Sequence, residues 1–438
     1  MEFLVWILFA VLTVAAYYLG KRNFLFPGFL LCAIYLVTYT ILLCNLRNWQ
    51  VQINGYFVLY TFTALLAFIT GEMIVVDRSK RIAINSTKVL LPLGNQTKRA
   101  YPAVSFLLIS AVLTIAYTTK LIADALPANS FAEMLRNIYN KSVDGYSPGI
   151  LFNQFREIIT AIAYVNTFRL MRRMFNGKDN MRPSVLIAPI LFFLIMVAIT
   201  TDRNIFLRYV FYFVCLYILF FYSQHKKKAN WKLFKRILGI AVFAVICFFL
   251  FGKIKQYTSD FSQAISIYGG SGLQNFNIWI KDYNGPLLFG KATFSVFLRS
   301  LQTVFSAAGI ALPIETLERF DSFITYTSAN GYLYSSNIYS ALKPFVMDFG
   351  YIGVILYPFF MGLLYQWLFL KTKRQNGFYW VLYSMLIYPI LFFPILDQLF
   401  GRLTLGFLYE LFWLWAVYRY AFGKDTVKKR RENRNEAK

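Results

Sequence analysis

Long apolar runs alternate with short polar connections along this chain, and most of the runs have the length of a membrane helix. A span needs roughly 20 predominantly apolar residues. Eleven runs approach or meet that length: 3–20, 24–44, 55–76, 101–123, 150–171, 184–200, 204–223, 237–252, 346–370, 378–396 and 403–422. Two connections are longer than the rest. One covers 124–149. The other runs from Lys253 to about Leu342, roughly 90 residues, between the eighth and ninth runs. Within it, 265–268 and 276–280 are apolar, and a stretch from Pro286 to Leu312 is punctuated by Lys291 and Arg299. That stretch is too charged to span and predicts amphipathic helices lying on the outer surface of the membrane, in an external loop. If part of it re-enters the bilayer, the span count becomes twelve. The pattern therefore divides the chain into spans one to eight (1–252), a large loop (253–342), spans nine to eleven (343–422) and a basic tail (423–438).

Composition turns apolar runs into membrane spans. The chain is 58% hydrophobic and 15% charged, against about 45–50% and about 25% in soluble domains. A larger core does not account for this, because every soluble fold needs a polar skin. The expected class is an all-α polytopic membrane protein.

Charge then orients it. Lys and Arg total 45 against 20 Asp and Glu, a net +25, a balance that in a soluble chain would point to nucleic acid. Here 28 of the 45 cations fall in alternate connections, including Lys21/Arg22, Arg172/Arg173, Lys226–Lys228, Lys371 and the tail. The positive-inside rule makes those connections cytoplasmic. The N-terminus is then outside, the C-terminus is cytoplasmic, and the first span is a retained anchor. The basic excess reads as orientation and lipid-headgroup contact, and no nucleic-acid partner is expected. Cys32, Cys44, Cys215 and Cys247 lie in predicted spans without metal or disulfide spacing. His225, the only histidine, sits on the cytoplasmic side, as do the sequons at Asn85 and Asn95, while a lone sequon at Asn140 is external. No GxxxxGK[ST] loop occurs, so ATP is not expected, and no internal repeat suggests a transporter.

Ionisable groups inside spans are costly and by default functional. Four places stand out: Arg156 with Glu157 in the fifth span; Asp202, Arg203 and Arg208 at the start of the seventh; Lys343 and Asp348 at the start of the ninth; and Asp397 and Arg402 before the eleventh. All lie in the outer half. Glu72 and Glu410 read as lying nearer the cytoplasmic end, solvated there. Singly, each group has a structural reading: Arg156 and Glu157 as a pair, Arg402 as a snorkelling cation. Together they predict an outward cavity lined by arginines. The guanidinium fork suits phosphate and pyrophosphate, and 31 Tyr, 46 Phe and 8 Trp supply stacking surfaces for sugars. A lipid-linked pyrophosphoryl sugar satisfies the cations, the apolar flank and the outward opening at once.

Three stretches carry a family likeness. Thr200-Thr201-Asp202-Arg203-Asn204 is similar to a small-residue-plus-Arg turn, with Asp202 in place of the usual Gly. The run 267–272 (IYGGSG), Asn275 and the run 289–294 (FGKATF) resemble a Tyr-Gly-Gly opening and a later FGxxTF segment. The run 336–342 (SNIYSAL), with Asp348-Phe349-Gly350 and Gly353, is similar to the entry of the span after the large loop. On these residues the sequence resembles the Wzy-type oligosaccharide repeat-unit polymerases (O-antigen or capsular polysaccharide polymerases) of bacterial envelopes, over about 200–370. The resemblance implies a GT-C-like, metal-independent glycosyltransferase of the bacterial cytoplasmic membrane, with no cofactor. Its substrate would be undecaprenyl-pyrophosphate-linked oligosaccharide, and its partners a flippase and a chain-length regulator.

In that setting a repeat-unit hydroxyl attacks C1 of the growing chain's reducing-end sugar, and undecaprenyl pyrophosphate leaves. Arg203, Arg156 and Arg208 are the expected pyrophosphate ligands, with Arg299, Arg402 and Lys343 as further candidates. Asp348 first, and Asp202 second, are expected to orient or deprotonate the acceptor. Asn337, Tyr339 and Tyr268 are candidates for sugar contact. Glu315, Glu318, Asp321 and Arg319 read as a solvated helix face. No Asp-x-Asp pair is present, so no divalent metal is expected. The placement of His225 favours a polymerase over an O-antigen ligase-type transferase, which stays open as an alternative. So does a non-enzymatic flippase, in which charges would run through the full depth.

Overall fold

The structure is a computed structural model that describes residues 1–81, 101–143, 146–176, 182–224, 261–311, 322–327, 333–373 and 377–435, with a few positions between 235 and 247. His225, Asn85, Asn95, Glu315, Glu318, Arg319, Asp321 and most of the predicted eighth span lie outside the described residues. Among the described residues there are thirteen helices and one hairpin. In chain order these are α1 (Glu2–Leu19), α2 (Pro27–Cys44), α3 (Gly55–Arg81), α4 (Tyr101–Ala125), α5 (Phe131–Val143), α6 (Ile150–Asn176), α7 (Pro183–Thr200) and α8 (Arg203–Gln224). Then come α9 (Phe261–Asp282), α10 (Ser295–Ala307), β1 (Ile324–Thr327), β2 (Leu333–Ser336), α11 (Leu342–Lys373), α12 (Gly377–Phe392) and α13 (Leu405–Asn435).

Seven of these helices (α1 to α4, α7, α8 and α11) are long and apolar enough to cross a membrane, and α12 is a shorter apolar helix. The chain thus has the helix complement of a multi-pass membrane protein. The predicted spans 150–171, 378–396 and 403–422 also fold as helices, as α6, α12 and α13. Local chemistry sets several starts. Pro27 and Pro183 open α2 and α7, where the missing N–H has no partner to lose and φ is already helical.

The chain divides into two compact units: 1–87, 260–373 and 386–405, and 88–259, 374–385 and 406–438. In the first, α3 and α11 form the main helix pair. Their backbones approach at two glycines: a Cβ on Gly71 would run into the carbonyl of Phe359, and one on Gly362 into that of Phe68. Lipid supplies no hydrophobic drive between helices, so such close van der Waals contact is what holds them. Glu72, beside Gly71, is fully buried. Its Oε1 accepts the Gly28 N–H at 2.9 Å, capping the first turn of α2 from a neighbouring helix. The reading of Glu72 as solvated is corrected: a helix N-terminus, not water, receives the carboxyl.

At the opposite end of this unit the large loop folds inward. The segment 270–277 of α9 is buried throughout, with Gly270 against Ile41 and Trp49 of the α2–α3 region and Gly272 against the backbone of Pro394 and Ile395. Surface-lying helices are the expectation for 286–312, within which α10 is half-exposed; α9, upstream of that stretch, is core. α9 can be buried because its polar residues find backbone partners. Asn275 Nδ2 donates to the carbonyls of Ser336 (3.1 Å) and Ile338 (2.7 Å), and Asn277 Nδ2 to that of Gln52 (2.8 Å).

In the second unit, α4, α6 and α7 pack on one another, with α8 against α6 and α5 against α4. An aromatic column of Tyr164, Phe193, Tyr209 and Tyr212 joins α6, α7 and α8.

Candidate functional site

Each unit carries one cluster of the residues singled out in the sequence. In the second unit the cluster forms where α6 and α8 begin and α7 ends. Thr201 takes a left-handed conformation that stops α7. Asp202 then caps α8: its Oδ1 accepts the amides of Asn204 (2.9 Å) and Ile205 (3.1 Å), the usual task of an N-cap carboxylate. The turn launches α8 with Arg203 buried at its first position and Arg208 one and a half turns further on.

Two ion pairs follow. Arg156 Nη2 and Nε bind Glu157 Oε1 at 2.7 and 3.0 Å, and Arg208 Nη1 meets Glu410 Oε2 of α13 at 3.4 Å. Tyr117 of α4 lies within electrostatic reach of Arg156, and Glu157 feels the charges of both Arg208 and Glu410. Trp413 Nε1 donates to Gln154 Oε1 at 2.6 Å, tying α13 to α6 on the same side. Glu410 is therefore buried in the cluster rather than solvated near the cytoplasmic end. The set is also balanced, with three arginines and three carboxylates. Burial explains the balance, since an arginine taken out of water needs a counter-charge. The Arg156 side chain keeps 34% of its exposure while that of Glu157 keeps 8%, so Arg156 is the cation of that pair within reach of a ligand.

The first unit organises Asp348. α11 breaks at Phe349–Gly350, where Gly350 takes φ +57°, ψ −138°, a backbone conformation open to glycine alone. The break frees the carbonyls of Met347 and Asp348, which accept the amides of Leu288 (2.9 Å) and Phe289 (3.1 Å). The Asp348 side chain completes the grip. Oδ1 accepts the Ala292 amide and Oδ2 the Thr293 amide, both at 2.8 Å. Four amides of the 288–293 segment are thus held at one broken helix end, and Asp348 itself is fully buried. The segment's apolar tip, Leu287 and Phe289, stays exposed.

Around this lock lie the remaining candidates of the first unit. Lys343 is buried, with Nζ 3.5 Å from the Tyr339 ring centroid and 5.5 Å from that of Trp279, a cation enclosed by aromatic faces. The Tyr339 hydroxyl donates to the carbonyl of Ser322 at 3.1 Å. Ser340 Nα donates to Gly272 and Ala341 Nα to Phe393, so the connection carrying Asn337 and Tyr339 is sewn between α9 and the 393–404 segment. Tyr268, on α9, and Asn337 are half-buried, as are Arg299 on α10 and Arg402. Asp397 accepts the amides of Leu399, Phe400 and Gly401. Burial pushes its carboxyl up to about 6, against those three amides, which favour its ionised form.

Sequence reasoning put Glu410 in the wrong surroundings and missed Tyr117, Gln154 and Trp279. Glu410 carried a readable signal, a carboxylate inside an apolar run. The others look like ordinary membrane-helix or interface residues until their partners are known.

By class, then, this is an α-helical chain with the complement of a multi-pass membrane protein, and it buries charge clusters at helix ends. No family model, curated protein or solved structure matches it.

Proposed function

We propose that the protein is a Wzy-type polysaccharide polymerase. In this reading eleven spans place the N-terminus outside and the C-terminus in the cytoplasm of a bacterial cell. The chain joins undecaprenyl-pyrophosphate-linked repeat units at the outer face of the cytoplasmic membrane. The observation that carries it is the gathering of Arg156, Arg203 and Arg208 at one end of the second unit, each on a different position of the α6 and α8 starts. Cations so placed suit a pyrophosphate leaving group.

The reaction is a displacement. An acceptor hydroxyl attacks C1 of the growing chain's reducing-end sugar, the bond from C1 to the pyrophosphate oxygen breaks, and the electron pair leaves with undecaprenyl pyrophosphate. Arginines hold the charge that develops there. Glu157 and Glu410 act as positioning residues that fix the guanidinium planes. Asp202 Oδ1 is occupied by the α8 amides, and in this reading Oδ2 takes the hydroxyl proton. Asp348, with both oxygens on backbone amides, holds the 288–293 segment in place. A flippase that supplies the repeat units and a chain-length regulator are the implied partners.

Purified protein given lipid-linked repeat units is expected to make a ladder of lengthened glycans. Arg203→Ala is expected to slow ladder formation by about 10²–10³-fold, the scale of losing one preorganised charge contact in a transition state. Single units left unchanged by folded protein would overturn the polymerase reading. Ladders from Arg203→Ala at the wild-type rate would overturn the site assignment alone.

A further inference from the structure

A cavity of about 650 Å³ in the second unit runs along α8, lined by Phe206, Val210, Phe213 and Tyr217, with Met174 of α6 and Arg236 at one end. These α8 residues recur at i, i+4, i+7 and i+11, so they form one stripe. At 1.5 Å per residue the stripe is about 16 Å long, close to half the ~30 Å hydrocarbon core. That is the depth of one leaflet, and hence of one lipid chain. α8 is itself one of the helices long and apolar enough to cross a membrane, so the groove would open on hydrocarbon.

The end at Tyr217 is different in kind. Arg236 Nη1 donates to the Tyr217 hydroxyl at 2.6 Å. This fixes the guanidinium with one N–H and leaves the rest of its fork for an anion. No carboxylate is among the described residues that line the groove. Lys235, exposed like Arg236, precedes it in the chain.

We propose that the groove binds an anionic phospholipid, with its phosphate on Arg236 and an acyl chain along the Phe206–Tyr217 stripe. Basic pockets between membrane helices are suited to such headgroups. A zwitterionic lipid would offer the same phosphate but bring its own cation among the Lys and Arg side chains, so headgroup charge decides the preference. The proposal is independent of the enzymatic reading.

Native mass spectrometry of the full-length protein, with phosphatidylglycerol and phosphatidylcholine of identical chains, tests it. Wild type is expected to retain phosphatidylglycerol under detergent conditions that strip phosphatidylcholine. Arg236→Gln is expected to reduce that preference about tenfold, the scale of one charge-assisted hydrogen bond. Tyr217→Phe keeps the guanidinium and is expected to keep the preference. Val210→Trp, which fills the groove, is expected to lose both lipids. Arg236 is exposed, so Arg236→Gln does not put folding at stake, and its retention ratio decides. Equal retention of the two lipids by wild type, or an unchanged ratio in Arg236→Gln, would overturn the site.

Discussion

Asp348→Ala is expected to lower the thermal stability of the detergent-solubilised protein sharply and to expose the 284–294 loop to protease. The carboxylate accepts two backbone amides from Ala292 and Thr293 in a fully buried place. Hydrogen bonds to a charged group contribute about 1.5–3 kcal/mol each, and amides left buried without partners add their desolvation cost. Together the loss should lie near 3–5 kcal/mol. The bonds from Leu288 and Phe289 to the carbonyls of Met347 and Asp348 would remain, so the loop should loosen at its C-terminal half first. Asp348→Asn should fall between, because its amide offers one accepting oxygen and turns N–H groups toward the second donor. That variant also separates two roles for the residue. A lock predicts that activity falls only as far as the loop opens. A chemical base predicts that activity is lost while the loop stays closed and protease-resistant. Wild-type stability and protease resistance in Asp348→Ala would refute the lock.

What the sequence shows, and what it hides, follows from where each interaction has its partners. An apolar run predicts its own helix, because an α-helix satisfies its backbone internally and needs no distant residue to do so. Accordingly α1, α2, α3, α4, α7, α8 and α11 fall on predicted runs. The buried charges were legible as exceptional, but their partners were not. Arg208 and Glu410 are 202 positions apart, and depth along one helix does not reveal which residue of another helix lies beside it. Glu410 and Glu72 were therefore misread as solvated. Asp348 is a sharper case: its partners are backbone amides 55 and 56 residues earlier, and an amide has no residue type to recognise. The same holds for α9. Ser271, Gln274, Asn275 and Asn277 are all buried, and their residue types do not reveal which backbone groups receive them. The motif residues of the large loop thus act in this structure as joints, closing loop, broken helix and 393–404 segment on one another.

The largest single effect is expected from Gly362→Leu, which should leave almost no monodisperse protein in fluorescence-detected size-exclusion chromatography. A Cβ at this position meets the Phe68 carbonyl, oxygen and carbon both, and the carbonyl carbon alone is 2.9 Å away. Backbone cannot rotate aside as a side-chain tip does. The two helices must therefore separate, and the contacts they share along Phe68, Tyr365 and the Gly71–Phe359 crossing loosen together. Overpacking in a soluble core costs about 1–3 kcal/mol; here the cost should exceed that, because no hydrophobic force pulls the helices back once lipid fills the gap. Gly71→Ala should show the same defect from the other helix, since its Cβ meets the Phe359 carbonyl and, at 3.1 Å, the Leu363 amide nitrogen. Gly55→Ala is the control, because nothing lies within 4 Å of a Cβ there. Combining Gly71→Ala with Gly362→Ala makes the mechanism testable beyond a bare loss of yield. If each substitution separates the same pair, the second should cost less than it does alone, a coupling expected of neighbours and not of independent sites. Strict additivity, or wild-type yield from Gly362→Leu, would show that α3 and α11 are not held by this close approach.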